Sequence, residues 1–252
     1  MSRLLFVLLI TGLLLPAIAQ SKPPSADYKL TWSDEFDGTK LDESKWGYHG
    51  LGPRRDAINV KECATLDGKG KLVLTTKKVG DKYHTAMVET RKKYEARYGY
   101  YECRAKLQTQ LGHWSAFWLH SPKFIDGGDP KEHGTEIDIF EYLTKKGQTL
   151  VCNLHWGGYK KGFHKTVGSK YDMKDTADGF HTFGLEWTPK EYVIYLDGKE
   201  VWRTTEAISH IKQYIILSLE VGEWAGDIKD AKLPDSALFD YVRVYQIPAK
   251  TN

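Results

Sequence analysis

Three carboxylates lie within six residues in the segment 134–142, GTEIDIFEY, interspersed with apolar side chains typical of a β-strand. In an extended strand, side chains two residues apart share a face, so Glu136 and Asp138 point one way and the isoleucines point the other. Strict alternation would place Glu141 on the apolar face. One extra residue after Asp138, a β-bulge, would return Glu141 to the acidic face, and bulges are over-represented beside active sites. The segment therefore predicts a bulged strand with three carboxylates on one wall of a groove.

Short segments rich in β-branched and aromatic residues recur along the chain and are separated by turn signals such as Asp197-Gly198. This punctuation predicts an all-β fold, an antiparallel sandwich or barrel, with little helix. About 230 mature residues suit a single domain of this class. The predicted strands are 71–77, 98–107, 114–119, 136–143, 149–156, 181–187, 192–196, 200–203, 215–220 and 238–246.

Residues 1–19 have the pattern of a signal peptide, with Arg3 before an apolar run and small residues at the end. The run is too short for a comfortable membrane span, so we expect a secreted or periplasmic protein without a transmembrane segment. A short linker at 20–26 would precede a catalytic domain at 27–248. Without Arg3 the chain keeps 35 basic against 33 acidic residues, which argues against nucleic acid as a partner. We expect a monomer.

The cysteines are odd in number, so at most one disulfide can form within the chain. Cys63 and Cys103 are either buried thiols or bridged partners, and Cys152 is the third cysteine. Their spacings do not suggest a zinc site.

The acidic strand has the groups needed for retaining glycoside hydrolysis. That reaction uses two carboxyl groups about 5 to 5.5 Å apart, one to attack the anomeric carbon and one to protonate the departing oxygen. We assign Glu136 as the nucleophile, Glu141 as the general acid and then base, and Asp138 as an assisting carboxylate between them. The alternatives are a solvated strand face, which would mix in Lys or Thr, and a calcium loop, which would be richer in Gly, Asn and Asp.

Aromatic residues flank the acidic strand on both sides in sequence. Trp114 and Trp118 lie four residues apart and share a strand face, while His155 and Trp156 end the next predicted strand. Neighbouring antiparallel strands would bring these side chains beside the acids as platforms or hydrogen-bond donors for sugar rings. Trp224 lies in a turn-like segment, where a core tryptophan is less expected. Core packing of Trp118 and a structural role for His155 are the alternatives.

The motif at 136–141, with GHWSAFW at 112–118 upstream, resembles the signature of glycoside hydrolase family 16 in its bulged form. The similarity extends to the opening strand at 32–37, a late core strand at 183–189 and the closing strand at 239–245. The resemblance implies a jelly-roll β-sandwich of two antiparallel sheets with a concave substrate groove. It also implies endo-acting, retaining cleavage of β-linked polysaccharide.

By the same resemblance, Asn59 and Arg91 match positions that reach sugar on the non-reducing side of the cleavage point, and Trp114 matches a sugar platform there. Some relatives carry a structural calcium ion on the convex face. Asp240 and Glu35 are the candidate ligands for such an ion, with structural salt bridging as the alternative role for either. We therefore predict no catalytic metal and no required cofactor, with a structural calcium ion as the one possible addition.

Substrate choice is less constrained, because the bulged branch includes both glucanases and galactan-cleaving enzymes. Laminarinases usually have Pro after the tryptophan and Met before the last glutamate, whereas this chain has Ser115 and Phe140. The basic loops 52–55 and 159–165 either border the groove and meet an anionic group or are solvated surface. We expect a β-1,3- or mixed β-1,3/1,4-glucan, with an endo-β-galactanase, a transglycosylase and a non-catalytic carbohydrate-binding jelly roll as alternatives.

Overall fold

The alternating sequence pattern folds into seventeen strands in the computed structural model, which describes residues 22–144, 148–173 and 179–249. The only α-helix in these ranges is the single turn α1 (Pro130–His133), which Asp129 caps through its side chain. The strands are β1 (Lys29–Asp34), β2 (Gly47–Tyr48), β3 (Gly52–Arg54), β4 (Ala57–Asn59), β5 (Ala64–Leu66), β6 (Leu72–Val79), β7 (Lys82–Glu89), β8 (Gly99–Lys106), β9 (His113–His120), β10 (Glu136–Leu143), β11 (Thr149–Trp156), β12 (Lys165–Asp172), β13 (His181–Trp187), β14 (Tyr192–Leu196), β15 (Lys199–Thr204), β16 (Tyr214–Val221) and β17 (Asp235–Gln246).

The long strands form two antiparallel sheets, while the short strand β4 pairs with β3 and runs parallel to β7, and β5 pairs with β6. The outer sheet has the order β15, β14, β13, β8 and β17, with β1 and β6 sharing the other edge of β17. The second sheet, which we call the groove sheet, has the order β12, β11, β10, β9, β16 and β7, with β2 beside β7. The β6–β7 hairpin joins the sheets at one edge, because β6 pairs with β17 through its first half and with β7 through its last residues.

The hydrophobic core lies between the two sheets. Phe140 of the groove sheet packs directly on Phe183 of the outer sheet, with ring centroids 4.1 Å apart. Phe117, Leu154 and Leu217 continue the buried layer on strands next to and beyond β10. This arrangement confirms the predicted all-β jelly-roll sandwich. It also leaves the opposite face of the groove sheet available for a site.

The predicted strands are all present, most with slightly different ends. The sequence analysis did not predict β7, β12 or the short strands β2 to β5. The edge strand β12 is polar and largely exposed, and the short strands have too few residues to show a period of two. No helix in the described ranges is long and apolar enough to span a membrane. The predicted signal peptide at 1–19 lies outside the described residues.

The three cysteines and the two acids of the convex face have clear structural roles. Cys63, Cys103 and Cys152 are buried thiols without a disulfide.

Arg243 donates to both carboxylate oxygens of Glu35, at 2.9 and 2.7 Å. Asp240 pairs with Lys71 at 2.6 Å and with Arg104. Both carboxylates are therefore engaged in ion pairs, which is the structural role considered for them from the sequence.

Candidate active site

A β-bulge interrupts β10 at the position that the spacing of the three acids requires. Asp138 lies opposite Asn153 of β11, whereas Glu141 lies opposite Val151, so two residues of β10 face one residue of its neighbour. The register with β9 shifts at the same place. The extra residue rotates Glu141 onto the face that carries Glu136 and Asp138. All three side chains line one cavity, as predicted.

The neighbouring strands contribute their alternate residues to the same cavity. On β9, Trp114, Ala116, Trp118 and His120 face the cavity, while Phe117 faces the core. The cavity has a volume of about 680 Å³. Its lining residues are His49, Arg54, Arg55, Trp114, Ala116, Trp118, His120, Glu136, Asp138, Glu141, Asn153, His155, Tyr159, His164, Thr166, Ser218, Glu220 and Trp224.

Glu136 is surrounded by hydrogen-bond donors. His120 Nε2 lies 3.3 Å from Glu136 Oε2, and the Tyr159 hydroxyl donates to the same oxygen. Burial alone would raise the pKa of Glu136, but the hydrogen bonds of His120 and Tyr159 outweigh it and lower the pKa below the ordinary range. Glu136 is therefore ionised at neutral pH.

The pKa of Glu141 is shifted in the opposite direction. Burial raises its pKa well above the ordinary value, and the negative charges of Asp138 and Glu136 raise it further. Asn153 Nδ2 donates to Glu141 Oε2 at 3.2 Å and opposes this shift only in part. Glu141 therefore holds a proton where an exposed glutamate would not.

Asp138 lies between the two glutamates along the strand and is almost fully buried. Burial raises its pKa well above the ordinary value, and the charges of Glu136 and Glu220 add to the effect. His155 Nε2 lies 3.3 Å from Asp138 Oδ2, and His155 Nδ1 lies 3.0 Å from His164 Nε2. The wall thus holds one carboxylate whose pKa is lowered beside two whose pKa values are raised. The protons on these carboxylates belong to the coupled group as a whole.

The predicted tryptophans line the cavity but differ in exposure. Trp224 is 38% exposed and packs edge-on against Trp114, with ring centroids 5.2 Å apart. Trp114 is only 2% exposed, because Arg55 covers it at 5.1 Å and Trp224 packs against it. Trp118 is also buried and donates through Nε1 to Ser218 Oγ at 3.1 Å. Of the three tryptophans that line the cavity, Trp224 therefore has the most accessible ring.

The structure does not bring three of the predicted binding residues into the cavity lining. Trp156 follows His155 on β11, so it points to the other face and packs against the core. Asn59 is buried, and its Nδ2 donates to the His49 carbonyl at 3.5 Å. Arg91 is exposed and lies over the Tyr214 ring at 5.7 Å.

The sequence analysis did not single out several lining residues. His120 lies two residues after Trp118, so strand alternation could have predicted its position. Glu220 could not have been placed in this way, because it meets Trp114 only through the pairing of β9 with β16. Arg54 and Arg55 both pair with Glu220 at 2.8 Å. The basic segment 52–55, most of which forms β3 and not the loop that was expected, therefore borders the cavity through Arg54 and Arg55. Loop 159–165 borders it through Tyr159 and His164.

One group of side chains has the spacing of metal ligands. Oxygen and nitrogen atoms of Glu136, Asp138 and His155 lie within 4.8 Å of one another. His155 Nε2 already lies 3.3 Å from Asp138 Oδ2 as an ion-pair contact, and Glu136 Oε2 already accepts from Tyr159. These contacts already occupy the oxygen and nitrogen atoms that would bind a metal ion. The arrangement instead suits acid–base chemistry at a bond placed beside an ionised and a protonated glutamate.

Comparison with known proteins gives consistent matches. The family model described as "Glycosyl hydrolases family 16" matches residues 55–243. A keratan-sulfate endo-1,4-beta-galactosidase of Sphingobacterium multivorum is 28% identical over 246 residues, covering 90% of this chain and 57% of that protein. A beta-glucanase of Rhodothermus marinus is 28% identical over 245 residues, covering 87% of this chain and 85% of that protein.

Solved structures agree with the sequence matches. The laminarinase catalytic domain from Thermotoga maritima MSB8 superposes with a TM-score of 0.76 at 28% identity, covering 88% of this chain and 100% of that one. The chain thus spans little more than half the length of the Sphingobacterium relative but the whole length of this catalytic domain.

Proposed function

The chain belongs to glycosyl hydrolase family 16, and from this membership and the site geometry we propose that it is an endo-acting, retaining glycoside hydrolase. The observation that carries the proposal is the bulged strand β10, which places Glu136, whose pKa is lowered, and Glu141, whose pKa is raised, on one cavity wall. A non-catalytic carbohydrate-binding protein has no need for two glutamates with opposite pKa shifts.

The reaction proceeds in two steps. Glu136 attacks the anomeric carbon as the glycosidic bond breaks, and Glu141 gives its proton to the departing sugar oxygen. This leaves a glycosyl ester on Glu136 and an ionised Glu141. In the second step Glu141 takes a proton from water, whose oxygen attacks the anomeric carbon and releases Glu136. Two displacements at one carbon retain its configuration.

Asp138 assists by adjusting charge along the wall. While Glu136 is ionised, Asp138 stays protonated, because burial and the charge of Glu136 both disfavour a second anion. Formation of the glycosyl ester removes the charge on Glu136 while Glu141 becomes ionised, so Asp138 keeps its proton as the negative charge passes from one glutamate to the other. No metal ion takes part in this scheme.

The substrate that we propose is an internal β-1,3 or mixed β-1,3/1,4 linkage of a glucan. The similarity to the Rhodothermus beta-glucanase and the Thermotoga laminarinase supports this class. A galactan is the second candidate, because Arg54, Arg55 and His164 border the cavity and could meet an anionic substituent. The similarity to the keratan-sulfate endo-1,4-beta-galactosidase supports that alternative.

A product assay across polysaccharides tests the function and the substrate together. We expect oligosaccharides from laminarin and lichenan, with the same products in the presence of EDTA. Products from agarose, porphyran, carrageenan or mucin-type glycans alone would move the proposal to the galactanase class. Release of only monosaccharides would contradict endo cleavage, and loss of activity with EDTA would contradict the metal-free scheme.

The rate should depend on pH through the two glutamates. Activity falls as pH drops through the pKa of Glu136, which is lowered, and as pH rises through that of Glu141, which is raised. The profile of kcat/KM is therefore bell-shaped, and it reports the coupled carboxylates. Asn153→Ala removes a donor that favours ionised Glu141, so we expect its alkaline limb to move to higher pH.

The matched control for this profile is Gln246→Ala, which removes an amide donor on the outer sheet, away from the cavity. It should leave both limbs in place. An alkaline limb of Asn153→Ala at or below the wild-type position would contradict the assignment of Glu141 as the acid.

We further propose that the protein acts as a monomer outside the cytoplasm. The signal-peptide pattern of residues 1–19 supports export, and a polysaccharide substrate is met outside the cell.

A further inference from the structure

Two hydrogen-bond donors converge on a single oxygen of Glu136. The Tyr159 hydroxyl donates to Oε2, and His120 Nε2 lies 3.3 Å from the same atom. No described residue hydrogen-bonds to Oε1. Because a carboxylate attacks through one oxygen, this asymmetry distinguishes the two oxygens before substrate arrives.

His120 is oriented by a third partner. Its Nδ1 lies 3.0 Å from the Tyr214 hydroxyl on β16. When Nδ1 accepts from Tyr214, the proton of the neutral imidazole is on Nε2 and points at Glu136. Trp118 packs edge-on against the same imidazole, with ring centroids 5.7 Å apart. The ring is thereby held between two strands.

Phe124 is the shared support of both donors. Phe124 is buried, and its ring centroid lies 4.9 Å from that of His120 and 4.8 Å from that of Tyr159. Phe124 begins the short 3-10 helix Phe124–Asp126, between β9 and β10. Two elements that are distant in sequence are therefore aligned on one aromatic ring.

The backbone before Tyr159 is adapted to this position. Gly157 and Gly158 have φ of 80° and 72°, which L side chains rarely adopt. A Cβ on Gly158 would come within 3.3 Å of the Gly127 Cα and the Phe124 carbonyl oxygen. The chain thus passes close to the Phe124 helix. This close approach places Tyr159 at the cavity, although the residue is 52% exposed.

We infer that Tyr159 and His120 are a positioning pair that holds Glu136 by Oε2 and leaves Oε1 as the attacking oxygen. The inference rests on the proposed function, since it concerns the nucleophile of that reaction. In the glycosyl ester, Oε2 is the carbonyl oxygen. The same two donors then polarise the ester carbonyl. They favour departure of the Glu136 carboxylate when water attacks the anomeric carbon.

Several charged or titratable groups face Glu136 from the elements around it, and His120, Tyr159 and His155 lower its pKa. Burial and the Glu136 charge raise the pKa of Tyr159, so its hydroxyl remains a donor throughout the working range. Removing that donor disfavours the ionised form of Glu136 and raises its pKa. The surrounding groups are His120 on β9, Asp138 and Glu141 on β10, His155 on β11, His164 on the following loop, Tyr214 and Glu220 on β16, and Arg54 on β3.

Tyr159→Phe tests the inference, because it removes the hydroxyl and keeps the ring on Phe124. We expect kcat to fall about tenfold, the effect of one charge-assisted hydrogen bond, with KM changed less than twofold. The acid limb of the kcat/KM profile should move to higher pH. Tyr171→Phe is the matched control, because the Tyr171 hydroxyl donates to the Val201 carbonyl outside the cavity, and its profile should match the wild type.

Titration of Glu136 by carbon NMR of the labelled carboxyl provides a measurement that needs no substrate. An increased pKa in Tyr159→Phe supports the pair. An unchanged pKa together with an unchanged acid limb would overturn it, since a loop that is merely structural alters KM or melting temperature instead. A wild type that cleaves no polysaccharide would refute the proposed function, and the NMR titration would still test the contact.

Discussion

Glu136→Gln is expected to abolish hydrolysis while the protein still folds and binds oligosaccharide. The amide has nearly the volume of the carboxylate but cannot form the glycosyl ester, so the first displacement has no nucleophile. We expect kcat to fall by at least about 10⁴-fold, the scale seen when a nucleophile is removed from an enzyme. Initial rates on the best polysaccharide of the product assay, with calorimetric binding of its oligosaccharides, measure both quantities.

The matched control is Glu132→Gln, an exposed glutamate on α1 that does not line the cavity. It should retain wild-type rates. A second check uses Glu136→Ala with an activated aryl glycoside and azide, where the small anion replaces the missing carboxylate. The product should be the glycosyl azide of inverted configuration. Wild-type turnover by Glu136→Gln would remove Glu136 from the role of nucleophile.

Glu141→Gln is expected to give the second largest loss, and the loss should depend on the leaving group. On polysaccharide the departing sugar oxygen needs a proton, so we expect kcat to fall by about 10² to 10⁴-fold. An aryl glycoside with an acidic phenol needs no such proton, so its first step should remain fast and phenol should appear in a burst. The alkaline limb of the pH profile should also disappear.

Stopped-flow absorbance of the released phenol, set against reducing-sugar assays on polysaccharide, makes this comparison. Glu132→Gln again serves as the control and should show no dependence on the leaving group. An equal loss on both substrates would show that Glu141 acts in binding or folding rather than in proton transfer.

The bulged acidic strand was predictable because two simple rules conflict there. Strict alternation would place Glu141 and Asp138 on opposite faces of the strand, so a bulge is needed to bring them together. Three carboxylates on one face also repel one another, which indicates that the site uses them. The alternation rule also placed Trp114, Trp118 and Phe117 on the correct faces of β9. Local periodicity therefore predicted the strands and the wall of the cavity.

Contacts between distant segments were not predictable from periodicity. Trp114 was expected as an open platform, yet Arg55 and Trp224 bury it, and both arrive from other parts of the chain. Trp156 was assigned to the site although alternation after His155 turns it to the core. Tyr159 reaches Glu136 only because two glycines allow its loop to approach Phe124, which is a property of the folded loop and not of the sequence pattern.

The central claim is that Glu136 and Glu141 carry out two successive displacements at one anomeric carbon. Proton NMR of the first product, recorded before mutarotation, tests it most directly. The account predicts that the new reducing end appears as the β-anomer and converts slowly to the equilibrium mixture. First appearance of the α-anomer would mean a single displacement by water, and it would contradict both carboxylate assignments.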